Sequence, residues 1–209
     1  MSDIEIVTII ANGAAPQEDV LRQNLKGTNI LIAADGGAET CRKLGLDPQY
    51  IVGDLDSVSD ETIEYFSQTK IVHIPDQDTT DLEKSIIFAE RFFPRKIRIF
   101  SAAGNRSDHY INNLLFFWNY PNNRILEIFD DQGVMKVLCP GEHQIEGFPG
   151  DIISLFSFSA VTGIKFTNFR YIPKQSDFTD SFCSISNVLM TEKGIISLQS
   201  GKLFIYRLF

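Results

Sequence analysis

The sequence contains no run of about 18 apolar residues, so it offers no transmembrane helix and no membrane partner is expected. Cysteine is scarce. Cys41, Cys139 and Cys183 are odd in number, widely spaced and form no CxxC, so they read as reduced thiols in a cytoplasmic compartment. With 14 glycines and 8 prolines in 209 residues, collagen-like and low-complexity classes are excluded. Positive charge is in deficit. Lys plus Arg total 19 against 27 Asp plus Glu, a net charge of −8, which argues against a broad nucleic-acid surface. A small phosphate ligand stays compatible with this balance, because a bound divalent metal supplies positive charge. The opening MSDIEIVTIIANG lacks a basic n-region and a small-residue cleavage site; it reads as a strand, and no secretory signal is expected. What is present is ordinary for a globular protein: 44% hydrophobic and 22% charged residues, with length for one or two domains and a sizeable core.

Up to about residue 124, short apolar runs alternate with longer helical patterns. The runs are Ile4–Ala11, Ile30–Ala34, Tyr50–Val52, Ile71–Ile74 and Ile97–Phe100. The intervening segments read as helices near Glu18–Leu25, Ala38–Leu44, Asp60–Ser67, Asp81–Phe93 and His109–Trp118. Strands alternating with helices imply an α/β domain: a parallel sheet flanked on both faces by helices, three layers in all. From residue 125 onward, short β-rich segments separated by Asp/Gly, Pro-Gly and Ser-Gly turns predict a smaller antiparallel β-sandwich or barrel. The expected division is therefore 1–124 and 125–209. The segment Ile125–Phe129 counts with the second domain, which includes a strand over Val188–Thr191.

Polar residues concentrate just after the predicted strands. They form Asn12-Gly13, Asp35-Gly36-Gly37, Gly53-Asp54-Leu55-Asp56-Ser57, Asp76-Gln77-Asp78-Thr79-Thr80-Asp81 and Gly104-Asn105-Arg106-Ser107-Asp108-His109. In an open parallel sheet the ligand crevice lies beyond the carboxyl ends of the strands, so these segments can meet at one edge. If the strand before Asp54 stays extended, Asp54 and Asp56 lie on one side roughly 7 Å apart. They then repel by about 2 kcal/mol at an effective dielectric of ~20, and a hard divalent cation would remove that repulsion. The alternative is a solvated turn with Ser57 or Ser59 capping the next helix. Thr80 and Glu83 have capping-box spacing, and Asp81 suits a helix first turn. Asp76 and Asp78 lie outside that explanation. Arg106 is a candidate phosphate contact; its bland reading is a surface pair with Asp108, Asp108 also serving as helix N-cap.

Taken in order and spacing, these segments resemble the thiamin pyrophosphokinase family. The match extends to the helix bearing Asn113 and to Ser184-Ile185-Ser186-Asn187, which looks like the family's SxSN segment. The resemblance implies an α/β catalytic domain that binds ATP and Mg²⁺, followed by a thiamin-binding β-sandwich. The reaction it implies moves a pyrophosphoryl group from ATP to the thiamin hydroxyl, giving thiamin diphosphate and AMP, in a homodimer with shared sites. It implies Asp54, Asp56 and Asp81 as Mg²⁺ ligands, with Arg106 and Asp108 completing the catalytic set and Asp81 or Asp108 accepting the hydroxyl proton. Asp35, Gln77, Asp78, Thr80 and Asn113 would line the ATP side. Ser184, Ser186 and Asn187 would lie near thiamin, with Phe166 offering a π face where the family often has Trp. The residue after the SxSN segment, commonly acidic in the family, is Val188. Other readings of the same aspartates are a Mg²⁺-dependent phosphohydrolase, a nucleotidyl transferase and a non-catalytic nucleotide sensor.

Overall fold

The structure is a computed structural model and describes residues 4–104, 106–121 and 125–209. It divides into two compact units, Met1–Asp131 and Gln132–Phe209. The expected boundary at residue 124 falls outside the described residues.

The first unit alternates strand and helix throughout. Its strands are β1 (Ile6–Ile10), β2 (Ile30–Ala34), β3 (Tyr50–Gly53), β4 (Lys70–His73), β5 (Lys96–Phe100) and β6 (Leu126–Phe129). Its helices are α1 (Glu18–Asn24), α2 (Gly37–Leu44), α3 (Asp60–Tyr65), α4 (Asp81–Glu90) and α5 (Ser107–Asn119). The strands pair in parallel in the order β6-β5-β1-β2-β3-β4. β1 and β2 are buried from their second residue onward, which is why they read as unbroken apolar runs rather than alternating ones. β4 ends the sheet and is mostly exposed. Helices α2 and α4 pack on the central strands.

The strand order places a topological switch beside β1. The chain steps outward through β2, β3 and β4, then returns to the other side of β1 as β5. At such a switch the loops leaving the two neighbouring strands diverge and open a crevice. Here they are tied at its base: Gly13 N–H donates to Ser101 O at 2.9 Å and Ala14 N–H to Ala103 O at 2.7 Å. A Cβ on Gly13 would stand 2.2 Å from Ala103 O, so only glycine permits this approach.

One segment differs from its expected place. Leu126–Phe129 belongs to the first unit, where it pairs in parallel with β5 from Ile97↔Leu126 to Phe100↔Phe129. Phe100 and Phe129 stack at 4.9 Å between ring centroids. A four-residue segment, Leu-Glu-Ile-Phe, carries no mark of parallel or antiparallel pairing, so composition alone groups it with the β-rich tail.

The second unit is all β. Strands β7 (Gly133–Leu138), β9 (Ile152–Phe156), β11 (Cys183–Val188) and β13 (Leu203–Leu208) form an antiparallel sheet in the order β11-β9-β13-β7. Strands β8 (Gly141–Glu146), β10 (Lys165–Thr167) and β12 (Lys193–Leu198) form a three-stranded antiparallel sheet in the order β10-β12-β8. Ile153, Leu155, Leu203 and Ile205 of the first sheet and Ile145, Phe166, Ile196 and Leu198 of the second share one core, which makes this unit a sandwich. The strand expected at Val188–Thr191 is instead Cys183–Val188; its pairing with β9 slips between Ser184 and Asn187.

Candidate active site

A cleft of ≈ 650 Å³ lies in the first unit at the carboxyl ends of its strands. Asn12 and Gly13 reach it from the end of β1, Ala34 from β2, and Asp54, Asp56 and Ser57 from the turn after β3. Gln77 comes from the loop before α4, Thr80, Asp81 and Lys84 from the start of that helix, and Ser101 to Gly104, Arg106 and Asn113 from the β5–α5 passage. Segments far apart in sequence do converge on one edge, as the sheet topology requires.

The acidic centre differs from the expected trio. Asp35, Asp54 and Asp81 each present a carboxylate oxygen within 4.8 Å of the others. Asp56 lines the cleft but is not one of the three; its side chain is exposed and accepts from Ser57 Oγ at 2.9 Å. The reason is backbone. β3 stops at Gly53, and Leu55 has φ of +70°, so the chain does not continue in the extended form that would set Asp54 and Asp56 side by side. Asp35 takes the third place from a tight turn of its own, with φ of +44°. Its N–H donates to Val52 O and its carbonyl accepts from Ala38 N–H, both at 2.9 Å.

Lys84 sits among these carboxylates. Its Nζ donates to Asp54 Oδ2 at 3.2 Å and to Asp81 Oδ1 at 3.0 Å, with the lysine side chain only 3% exposed. Gln77 Nε2 donates to the same Asp54 Oδ2 at 3.0 Å, and Asp56 N–H to Asp54 Oδ1 at 3.3 Å. Burial alone would push the Asp54 carboxyl up, but the Lys84 ammonium and these donors outweigh it and hold the pKa below the ordinary range. For Lys84, burial pulls downward, yet Asp81 and Asp54 prevail and its pKa is raised. Asp35 is the opposite case. Burial, and then the Asp81 charge, push its pKa up.

These groups fit a hard divalent cation. Asp35 is buried; its Oδ2 accepts from Ser57 N–H at 3.2 Å, while its Oδ1 has no hydrogen-bond partner among the described residues. A buried lone acceptor is costly unless something occupies it. Three carboxylates against one ammonium leave two negative charges in excess, and all the donors are oxygen, which suits Mg²⁺-type ions.

The remaining residues divide between cleft and scaffold. Thr80 is the N-cap of α4, its Oγ1 accepting from Glu83 N–H at 3.3 Å; Glu83 turns to Asn112 instead of closing a capping box. Ser59, not Ser57, caps α3. Arg106, not Asp108, is the N-cap residue of α5. Arg106 and Asp108 form a two-point pair, Nε to Oδ1 at 2.9 Å and Nη2 to Oδ2 at 2.6 Å, with both side chains well exposed. Arg106 lines the cleft and Asp108 does not; the guanidinium holds the Asp108 carboxyl well below the usual range. Asp78 is also absent from the cleft lining, its N–H donating to Asp76 Oδ1. Asn113 is buried at the cleft and donates from Nδ2 to Ala102 O at 2.7 Å, fixing the β5–α5 loop. Asn105 of that loop lies outside the described residues.

The sequence matches the family described as thiamin pyrophosphokinase, catalytic domain, over residues 21–129, a span that includes Asp35, Asp54, Asp81 and Lys84. The chain belongs to the thiamin pyrophosphokinase family. A thiamine pyrophosphokinase of Bacillus subtilis (strain 168) is 28% identical over 211 residues, covering 98% of this chain and 99% of its own. The crystal structure of the thiamin pyrophosphokinase from Geobacillus thermodenitrificans superposes with a TM-score of 0.84 at 25% identity, covering 98% of this chain and 97% of that one. The yeast thiamin pyrophosphokinase, at 15% identity, shares the fold with a TM-score of 0.82 over 100% of this chain and 88% of its own.

Within this member of the thiamin pyrophosphokinase family, the residues expected on the thiamin side lie in the second unit and behave unequally. Phe166 is buried, its ring 5.5 Å from that of Phe169 and 5.9 Å from that of Phe182. That ring belongs to the sandwich core and does not stand free as a stacking face, because β10 turns Phe166 inward at the centre of its pairing with β12. Ser184-Ile185-Ser186-Asn187 lies within β11 at its bulge, with Ser186 at φ of +55° and exposed. Asn187 is fully buried and bonded to protein groups.

Gly53 offers a test of the acidic centre. A Cβ there would sit 2.7 Å from Asp35 Cβ and 3.1 Å from Asp81 Oδ1, wedged between two of the three carboxylates. Gly53→Ala should therefore lower unfolding free energy by about 1–3 kcal/mol through overpacking. It should also cut turnover about 10²-fold by misplacing groups at the reacting centre. Urea denaturation and steady-state rates check the two parts.

Proposed function

We propose that this protein transfers the pyrophosphoryl group of ATP to the hydroxyl of thiamin, giving thiamin diphosphate and AMP, with Mg²⁺ as its metal. The observation that carries this is the meeting of the buried Asp35 with Asp54 and Asp81, which line the switch-point cleft, inside the span that matches the family's catalytic domain. A cleft of ≈ 650 Å³ is of the size small-molecule sites have. Partners are ATP and thiamin, in a homodimer with shared sites in the cytoplasm, without nucleic acid. No helix among the described residues is long and apolar enough to cross a membrane.

Asp35, Asp54 and Asp81 would hold the metal, which when bound neutralises phosphate charge and orients the triphosphate. Asp56, outside that trio, faces the cleft from the same turn and suits water-mediated contact with the ion or the phosphates. Phosphoryl transfer needs positioning and charge neutralisation more than covalent help. The thiamin hydroxyl oxygen attacks the β-phosphorus; the bond from that phosphorus to the oxygen bridging α and β breaks, and AMP leaves. Arg106 is exposed at the cleft and its pair with Asp108 is at the surface, so it can exchange that partner for a phosphoryl oxygen at small cost. Of the two aspartates considered for the hydroxyl proton, Asp81 lines the cleft, whereas Asp108 does not and is a weakened base beside Arg106. Gln77, Thr80 and Asn113 shape the ATP side, and Asp78 belongs to the same loop before α4. Ser184 and Ser186 supply hydroxyls on the thiamin side. Phe166 and Asn187 support that side from within.

A product assay with ATP, Mg²⁺ and thiamin decides the reading. AMP forming only with thiamin is the expected result. Inorganic phosphate released without an acceptor would point to a hydrolase, and ADP as product would overturn pyrophosphoryl transfer.

A further inference from the structure

The acidic centre contains a cation of its own. Lys84 Nζ takes Asp54 Oδ2 and Asp81 Oδ1, one oxygen from each carboxylate, and leaves Asp35 Oδ1 without a hydrogen-bond partner among the described residues. The lysine is placed for this by two elements. It lies one turn beyond Asp81 on α4, where i and i+3 side chains meet, and α4 packs on β3, whose end carries Asp54. An ammonium this buried stays charged only with partners, and carboxylates this close repel unless a cation lies between them. We propose that Lys84 is a positioning residue that acts as the resident counter-cation of the cluster. It keeps Asp54 and Asp81 assembled when no divalent ion is bound, and its charge limits how tightly the cluster holds one. The second half rests on the metal reading above; the first half does not.

Three consequences separate this role from simple packing. Lys84→Met keeps the length and the apolar stem but removes the charge. In chelator its melting temperature should fall by about 5–10 °C, as expected for a buried pair that loses one partner. Mg²⁺ should then recover more of the melting temperature in Lys84→Met than it adds to the wild type, and calorimetric titration with Mg²⁺ should give at least about threefold tighter binding. The double variant Asp81→Asn with Lys84→Met removes one charge of each sign, so it should melt above the single lysine variant in chelator. A packing brace predicts the reverse, because each change would only add damage.

The full-length chain is used throughout. A Lys84→Met protein that melts with the wild type in chelator overturns the proposal, as does a double variant no more stable than the single one. If Lys84→Met is unfolded without metal, recovery of folding by Mg²⁺ or by the second substitution supports the proposal, and recovery by neither overturns it. A wild-type Mg²⁺ response with no greater response in Lys84→Met overturns the limit on affinity alone. No Mg²⁺ response in any variant overturns the metal reading itself, and the melting comparison in chelator still decides the counter-cation role.

Discussion

Asp54→Asn should reduce thiamin-dependent AMP formation by about 10³-fold while the chain remains folded. Asp54 is the most connected of the three clustered carboxylates. Lys84 and Gln77 both donate to its Oδ2, and the Asp56 N–H donates to its Oδ1. Asparagine has nearly the same shape, and its single carbonyl oxygen can still accept from Lys84, so the turn after β3 keeps its backbone course. What disappears is the charge. The Lys84 ammonium holds Asp54 ionised against the opposing effect of burial, so at neutral pH the wild type offers a full carboxylate here. Removing one group that stabilises charge in phosphoryl transfer typically costs 10²–10³ in rate, about 3–4 kcal/mol of barrier. The structural cost is smaller, about 1–3 kcal/mol, because the Lys84 ammonium keeps a neutral carbonyl partner and its ion pair with Asp81, while the Asp56 N–H loses its acceptor. Rates resolved by chromatography of AMP, with far-UV circular dichroism as the folding control, check both halves. A variant that keeps a rate within tenfold of wild type would show that the reaction does not use the Asp54 charge.

The parts of this fold that the sequence made legible are those set by local physics. β1, β2 and β3 are apolar because they are covered on both faces, so their runs stand out against the helical segments between them. Helices α3 and α4 begin where Ser59 and Thr80 can cap them. The convergence of polar loops followed from parallel topology alone. What was not legible depended on backbone conformation or on partners far along the chain. Leu55 in the left-handed region has no signature, since leucine rarely adopts it, and that one residue removes Asp56 from the cluster. Asp35 looked like a turn residue; its place in the acidic centre depends on β2 lying beside β3. Lys84 carried a faint signal, its i+3 spacing from Asp81, and spacing says nothing of the second carboxylate across the cleft. Ser101 gave none. It lines the cleft at φ of +58°, a conformation that its residue type does not announce.

Asn187→Ala should destabilise the second unit by about 2–4 kcal/mol, and the cause would be structural rather than a lost ligand contact. The Asn187 side chain is fully buried and uses its whole amide on protein. Its Oδ1 accepts from Tyr171 N–H at 3.0 Å and from Val188 N–H at 2.8 Å. Its Nδ2 donates to Tyr171 O at 2.8 Å and to Ser184 Oγ at 3.2 Å. The amide thus imitates a strand partner for Tyr171, while at the β11 bulge the Ser186 N–H donates to Ser154 Oγ of β9 at 3.0 Å. Alanine would leave the Tyr171 N–H and C=O without these partners, and a stranded backbone group costs more than the bond it lost was worth. Hydrogen exchange should then quicken at residues 171 and 184–188 and leave the first unit unchanged. Asn187→Asp gives the sharper comparison: a carboxylate retains both Oδ1 contacts but has no donor for Tyr171 O, so it should recover only part of the loss. If both variants instead kept wild-type exchange and raised the KM for thiamin alone, Asn187 would be a ligand contact, and the bonds to Tyr171 would have to open when thiamin binds.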